Sequence, residues 1–208
     1  MKTICFCGMD GSGKSTQCKI LVDRLRGSGL AVETIHTLTR GNTVSSRLQE
    51  KPLFKGFHQK LRALPCYGFL GGIKLIIGLV FFFIDAWITN IKHRWDFREK
   101  MVVYDRTFYD HLAIFAASFL KPPRWVINLA KVLPKCDVLI IMEVSPEIGH
   151  IRKSEDSIEK LTKCMKFYRR LASIFCIEIV DGQQTVDRIS ESIYRKSMKA
   201  LVGIKTHK

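Results

Sequence analysis

"TICFCGMDGSGKST", residues 3–16, decides the fold. Thr3 to Cys7 form a short, nearly continuous apolar run, and Cys5 and Cys7 alternate around Phe6 as small core residues of a buried strand would. Gly8 ends the run. Four residues separate it from Gly13-Lys14-Ser15, which completes the phosphate-loop pattern G-x-x-x-x-G-K-[ST]. Each part of that pattern has a physical task. Glycines let successive backbone N–H groups converge on phosphate oxygens, and a following helix adds the partial positive charge of its N-terminus. Lys14 is expected to reach the β- and γ-phosphates, and the Ser15 hydroxyl to ligate Mg²⁺. Beyond the loop, Cys18, Leu21, Val22 and Leu25 recur at helical spacing, and Gly27 and Gly29 supply a stop. A plain surface turn gives no reason for Lys and Ser to follow the third glycine directly. The stretch reads as a grip on a nucleoside triphosphate.

Outward from the loop, strand-like and helix-like patterns alternate. Strands are expected at Thr3–Cys7, Ala31–His36, Met101–Tyr104, Val138–Val144 and Phe175–Val180, each apolar enough to be buried on both faces. "VSPEIGHIRK" opens a helix with Ser145 as N-cap and Pro146 in the first turn. "DGQQT" is a turn, after which Val186, Ile189 and Ile193 make the apolar stripe of a last helix. This is an α/β pattern with a five-stranded parallel sheet and helices on both faces. The chain has 208 residues, no internal repeat and no low-complexity linker, so one domain over 1–208 is expected.

Composition narrows the partners. Lys and Arg number 34 against 19 Asp and Glu, a net charge of +15 that favours anionic ligands. No aromatic stripe interleaves with the lysines, so nucleic acid is not the expected partner. The seven cysteines are scattered, with no CxxC pair or Cys/His cluster, which argues against zinc and against a disulfide framework. No export signal is read at the amino terminus, and a reducing cytoplasm is the expected compartment. One segment stands apart. "YGFLGGIKLIIGLVFFFIDAWI", residues 67–88, is apolar on all sides, with Lys74 and Asp85 its only charges. It is long enough to span a membrane, but its α/β flanks point instead to a helix buried in a core or in a dimer interface, with a membrane-surface role left open.

Two strands end in an acid: "MVVYDR" at Asp105, followed at once by Arg106, and "VLIIME" at Glu143. Neither carries the adjacent Asp-Glu pair of a remodelling ATPase, and the Asn-Lys-x-Asp of a GTPase is absent. A carboxylate beside Mg²⁺ with a neighbouring guanidinium suits phosphoryl transfer. Together the segments "GMDGSGKSTQ", "HTLTRGNTVSSRLQE", "VVYDRTF", "MEVSPEIGHIRK" and "VDGQQTVDRISESI" resemble, in order and spacing, the thymidylate kinase family of nucleoside monophosphate kinases. The resemblance implies a three-layer P-loop kinase fold and transfer of the γ-phosphoryl of ATP to a nucleoside monophosphate, dTMP above all. It implies that Gly8, Asp10, Gly11, Ser12, Gly13, Lys14, Ser15 and Thr16 line the donor nucleotide. Lys14, Asp105, Arg106 and Arg152 would be catalytic, with Mg²⁺ held by Ser15 and Asp105 in its outer shell. Asp10, Arg40, Phe82 and Arg106 would face the acceptor, and a lid would lie at about residues 150–165, where Arg152 stands among Lys153, Lys160 and Lys163. Homodimers through sheet-flanking helices are implied as well.

The sequence departs from that family on the acceptor side. Phe81, Phe82 or Phe83 could stack on a base, but no arginine follows them, and Asp85 and Ala86 occupy the neighbourhood. Thr107 stands where an aromatic usually follows Arg106, and Gly11 where some relatives carry an arginine. The alternatives are a phosphotransferase of the same fold acting on another acceptor, including one carried at a membrane, and a nucleotide-dependent ATPase or switch that uses Glu143 to orient water.

Overall fold

The computed structural model describes residues 1–36, 68–119 and 124–203. It divides into two compact units, one formed by Met1–His36 with Phe97–Lys208, the other by Thr37–Asp96. The first unit contains β1 (Lys2–Gly8), α1 (Lys14–Gly27), β2 (Val32–Ile35), β3 (Met101–Asp105), α3 (Phe108–Ala117), α4 (Arg124–Leu129), β4 (Val138–Glu143), α5 (Pro146–Arg152), α6 (Ile158–Phe175), β5 (Ile179–Asp181) and α7 (Val186–Gly203). The second contains α2 (Gly68–Asp96).

The five strands are all parallel, in the order β2-β3-β1-β4-β5. Alternation along the central strand sorts its side chains to two faces. Ile4 and Phe6 join Val103, Ile140 and Met142 against Leu21, Val22 and Leu25 of α1 and Ile189 and Ile193 of α7. Cys5 packs on the other face with Val102, Tyr104 and Ile35, and α3 and α6 pack against each other and lie along β1. The architecture is therefore the expected three-layer α/β arrangement. Truncating a fully buried member of the first cluster, such as Leu21 or Leu25, to alanine would cost about 2–5 kcal/mol.

Register positions the site. Phe6 pairs with Asp105 and Gly8 with Met142, so the carboxyl ends of β1, β3 and β4 share one edge. In open parallel sheets that edge is where ligands bind.

Local expectations hold at several ends and fail at two. Ser145 caps α5 by accepting from the Ile148 N–H at 3.3 Å, with Pro146 in the first turn. Cys18, Leu21, Val22 and Leu25 are buried, and α1 closes at Ser28 before Gly29 at φ 79°. The fifth strand is only Ile179–Asp181, because α6 carries its apolar stripe as far as Phe175. There Cys176 takes φ 53°, and the Ile177 N–H closes on the Ala172 carbonyl. Val186, expected in the last stripe, is the first residue of α7 and is exposed, so the stripe begins at Ile189.

The second unit overturns half of one expectation. α2 is 29 residues long, and of the two placements expected for it, in a core or in a dimer interface, the core one fails, because its apolar window is mostly exposed. Its covered positions include the polar Asp85, Thr89 and His93 around Ala86, while Ile76, Val80, Ile84 and Ile91 are exposed. The Thr89 hydroxyl donates to Asp85 one turn earlier at 3.5 Å, which gives the acid that sits uneasily in an acceptor pocket a place within the helix itself.

Candidate active site at the carboxyl edge of the sheet

The loop after β1 is built by close approach. Gly8 has φ 142°, and a Cβ there would lie 2.1 Å from the Met142 carbonyl oxygen, so only glycine lets β1 leave the sheet against β4. Gly11 has φ 78°, and its Cβ would lie 2.5 Å from the Gly149 carbonyl oxygen of α5. No side chain fits at that point, which explains the glycine where an arginine could otherwise be expected. Gly13 then enters α1 at φ 88° with no side chain capping the helix and no acid in its first turn. The leading N–H groups of α1 are left to an anionic ligand.

Lys14 is 4% exposed, and its Nζ donates to the Gly8 and Met9 carbonyls at 2.7 Å each. Burial lowers its pKa, an effect opposed by the Asp110 and Asp10 carboxylates nearby. The ammonium is thus held inside the loop by carbonyl oxygens that phosphate oxygens can replace. Asp10 gathers the cations. Its Oδ1 pairs with Arg106 Nη2 and lies 3.9 Å from Lys14 Nζ, and its Oδ2 lies 3.7 Å from Lys153 Nζ. Burial pushes the Asp10 carboxyl up, but Arg106, Lys14 and Lys153 together outweigh it and hold the group below its ordinary value. Positive charge from β1's loop, β3's end and the segment after α5 therefore meets at one carboxylate.

Arg106 reaches Asp10 from a left-handed backbone, φ 76°, a conformation that costs a non-glycine residue about 1–2 kcal/mol. The start of α3 holds it there. Thr107 is the N-cap of that helix, accepting from the Tyr109 N–H at 3.2 Å, while the Thr107 N–H donates to Asp110 at 2.7 Å in a reciprocal capping box. The threonine that departs from the family pattern is thus a helix cap. Asp110 does more. It is 1% exposed, and its Oδ1 accepts from the Gly8 N–H at 3.2 Å and from the Tyr168 hydroxyl of α6 at 2.7 Å. One buried carboxylate joins the loop, the Asp105-Arg106 corner and α6.

Asp105 is buried at the end of β3, and its Oδ1 makes no hydrogen bond. Its charge raises the Cys18 thiol of α1, pushed up to about 12 chiefly by burial, which sets the carboxylate beside the first turns of that helix. Ser15 is exposed in the first of those turns. A buried carboxylate oxygen without a hydrogen bond fits the outer shell of a hydrated Mg²⁺, which keeps several waters and takes few protein ligands. Among the described residues no group of three or more His, Cys, Asp and Glu side chains is placed to hold a metal by itself. Both oxygens of Glu143 accept from Arg169 Nε of α6 at 3.1 Å. A cavity of about 390 Å³ extends from Gly11, Ser12, Gly13 and Thr16 past Arg152 and Lys153 to Gly182, Gln184 and Val186. It can take the base and sugar of a nucleotide whose phosphates sit on the loop.

No family model matches the chain. Curated relatives do, end to end. A "Probable thymidylate kinase" of Methanobrevibacter smithii is 29% identical over 208 residues, covering 97% of this chain and 96% of the relative. Proteins of the same name from Methanothermobacter thermautotrophicus and Sulfolobus acidocaldarius are each 26% identical, over 92% and 93% of this chain and 92% and 95% of their own lengths. The chain is a relative of the thymidylate kinases.

In this thymidylate kinase relative the structure brings together Gly8, Asp10, Gly11, Ser12, Gly13, Lys14, Asp105, Arg106 and Arg152 in one unit. Arg40 lies outside the described residues. Phe82 belongs to α2 in the other unit, where it packs edge-on against Phe83 at 5.4 Å. Arg152 donates from Nη1 to the Gly11 and Gly182 carbonyls at 3.3 and 3.2 Å, clamping the loop to the β5–α7 turn, while Lys153 is the cation beside Asp10. Sequence reasoning missed Asp110 and Tyr168. The spacing Thr107-x-x-Asp110 is a visible capping-box signal, but nothing in the sequence says that the same acid reaches Gly8 and α6.

Proposed function

We propose that this chain transfers the γ-phosphoryl group of ATP to the phosphate of a nucleoside monophosphate, with dTMP as its acceptor. The observation that carries the proposal is the meeting of Lys14, Arg106 and Lys153 around Asp10, at the carboxyl edge of the sheet and beside the uncapped start of α1. Two anionic phosphates approaching each other need that concentration of fixed positive charge. The names of the relatives, aligned over nearly the whole chain, support the choice of acceptor.

In the reaction an oxygen of the acceptor phosphate bonds to the γ-phosphorus as the bond to the β,γ-bridging oxygen breaks, leaving ADP and a diphosphate. Little covalent work falls to the protein. The loop N–H groups and Lys14 hold the donor, Lys14 exchanging the Gly8 and Met9 carbonyls for phosphate oxygens. Arg106, oriented by Asp10, faces the acceptor phosphate. Lys153 sits between the two and neutralises charge as the γ-phosphoryl moves. Ser15 and Asp105 would hold Mg²⁺, which would further neutralise the phosphates. The cavity beside Arg152 takes the base and sugar of ATP. The cytoplasm, where ATP and nucleoside monophosphates are both at hand, is the proposed compartment.

The test is ADP release with Mg²⁺ and ATP across a panel of nucleoside monophosphates, against a control without acceptor. Turnover that depends on dTMP and is lost in Lys14→Ala is expected. Hydrolysis at the same rate without acceptor would overturn the kinase reading, and dependence on a different monophosphate would overturn the assignment of dTMP.

A further inference from the structure

Lys153, the cation beside Asp10, stands just outside α5. Arg152 is the last residue of that helix, and Lys153 follows in extended backbone, φ −152° and ψ 96°. The two neighbours therefore diverge, Arg152 to the Gly11 and Gly182 carbonyls and Lys153 to Asp10. Two carboxylates draw on the lysine. Its Nζ lies 3.7 Å from Asp10 Oδ2 and 3.1 Å from Oε2 of Glu155, which is 70% exposed. Lys153, Ser154, Glu155 and Asp156 are all that separates α5 from Ser157, the N-cap of α6. The shape of so short a connection decides whether the ammonium stays at the site or swings out with Glu155.

A side chain fastens that shape. His150, in the last turn of α5, meets the main-chain oxygen of Asp156 with Nδ1 at 2.8 Å. A carbonyl oxygen only accepts, so Nδ1 carries the proton and donates. The Asp156 side chain is held too, its carboxylate accepting from Lys160 in the first turn of α6. One residue is thus gripped from both helices, through its main chain by α5 and through its side chain by α6. The bond from 150 to 156 closes a loop around Lys153 and fixes the path of its backbone before any substrate arrives. Less ordering is then left to the transition state. We propose that His150 is a positioning residue for phosphoryl transfer, which keeps Lys153 at Asp10 by donating to Asp156. The task of Lys153 rests on the kinase reading, whereas the clasp itself does not.

The experiment compares the wild type with His150→Ala, His150→Asn, Lys153→Ala and the double variant His150→Ala, Lys153→Ala. Steady-state ADP release is read with ATP, Mg²⁺ and dTMP. Amide exchange is read at Lys153, whose N–H donates to the Gly149 carbonyl at 3.0 Å. Asparagine offers an amide N–H close to where the imidazole Nδ1–H stands, so it serves as the rescue. His150→Ala should lower kcat about fivefold, the worth of one hydrogen bond, with KM for ATP within about twofold. His150→Asn should recover most of that loss, and His150→Ala should cost nothing further once Lys153 is alanine. A merely structural histidine would cost the same factor on either background. Exchange at Lys153 should quicken about fivefold in His150→Ala and return toward the wild-type rate in His150→Asn. Unchanged kcat in His150→Ala, equal losses with and without Lys153, or equal exchange in all variants would overturn the proposal. Hydrolysis by the wild type at the same rate without acceptor would instead remove the kinase reading, and with it the role in transfer, while the exchange rates still decide the clasp.

Discussion

Replacing Asp110 by Asn changes almost no volume, yet the structure requires a large effect. The carboxylate accepts at one oxygen from the Gly8 N–H and the Tyr168 hydroxyl, and at the other from the Thr107 N–H and hydroxyl. An amide offers one acceptor oxygen. If that oxygen keeps the Thr107 N–H at the head of α3, the NH₂ group points at Gly8 and Tyr168. The tyrosine hydroxyl can rotate and accept, but the Gly8 N–H cannot, and it becomes a buried donor without a partner. Such a group costs about 1–3 kcal/mol, and the remaining bonds lose the strength that charge gives them, so the total is about 3 kcal/mol. For a chain of this size that is a fall in melting temperature of about 6–12 °C. Tyr168→Phe, which leaves both backbone donors satisfied, should cost only about 1 kcal/mol. Urea unfolding of the wild type, the two single variants and the double variant measures both costs and their coupling, expected at about 1 kcal/mol. Because Gly8 opens the phosphate loop, kcat/KM for ATP should fall about tenfold in Asp110→Asn, a loss of about 1.4 kcal/mol of transition-state binding. Stability of Asp110→Asn within about 0.5 kcal/mol of wild type, or strict additivity in the cycle, would refute the reasoning.

Three further outcomes are expected from the same geometry. Gly11→Arg, which imports the arginine some relatives carry, should lower ATP affinity and stability by about 2 kcal/mol or more, since the backbone is left-handed and the Cβ meets Gly149; a gain in turnover, read by the coupled ADP assay, would show that the close approach is not rigid. Lys153→Ala should reduce kcat about tenfold or more with KM for ATP little changed, whereas Arg152→Ala, which loosens the clamp beside the cavity, should chiefly raise KM for ATP; the reverse split in steady-state kinetics would exchange their roles. Asp10 has a depressed pKa in the folded chain, so its contribution to stability is complete above its ordinary value of 3.8 and is lost as pH falls through the lower folded value. The difference in melting temperature between wild type and Asp10→Asn should therefore be constant near neutral pH and shrink below 3.8.

Much of the fold and of the donor side is legible in the sequence for a definite reason. The loop, the strand before it and the helix after it are local, and each has a signature in spacing: an apolar run, glycines at fixed offsets, a Lys-Ser pair, then a 3.6-residue period. The caps at Ser145 and Gly29 are equally local, and both can be read from the chain. What the sequence conceals depends on which distant segments touch. Arg152 and Lys153 are adjacent, and only the way α5 ends decides that one clamps two carbonyls and the other faces Asp10. Val186 fits the helical period of its neighbours but falls at the first residue of α7, where the sheet no longer covers it. The core reading of the apolar stretch 67–88 is the largest misreading, and it is one of orientation. Hydrophobicity predicts a helix, which is present from Gly68, and burial in a core, which most of the described side chains from Ile76 onward do not have.

That misreading and the glycine at position 11 show the same limit from opposite sides. A residue type fixes what a position can tolerate, whereas its neighbours fix what it does. At Gly11 the absence of a side chain first reads as a missing cation to be supplied by the lid. The structure gives the nearer cause: α5 lies so close that Gly149 and Gly11 face each other backbone to backbone, and a cation of the expected lid stretch, Lys153, one residue past the end of that helix, stands beside Asp10. The loss of an arginine from the loop and the arrival of a lysine at its rim are thus one arrangement. A side chain at position 11 would push α5 away and carry Lys153 from Asp10 with it. Gly149→Ala tests this from the helix side, because its Cβ would lie 2.9 Å from the Asp10 carbonyl oxygen of the loop. It should lower kcat in the same direction as Lys153→Ala, and the two changes together should cost less than the product of their separate effects.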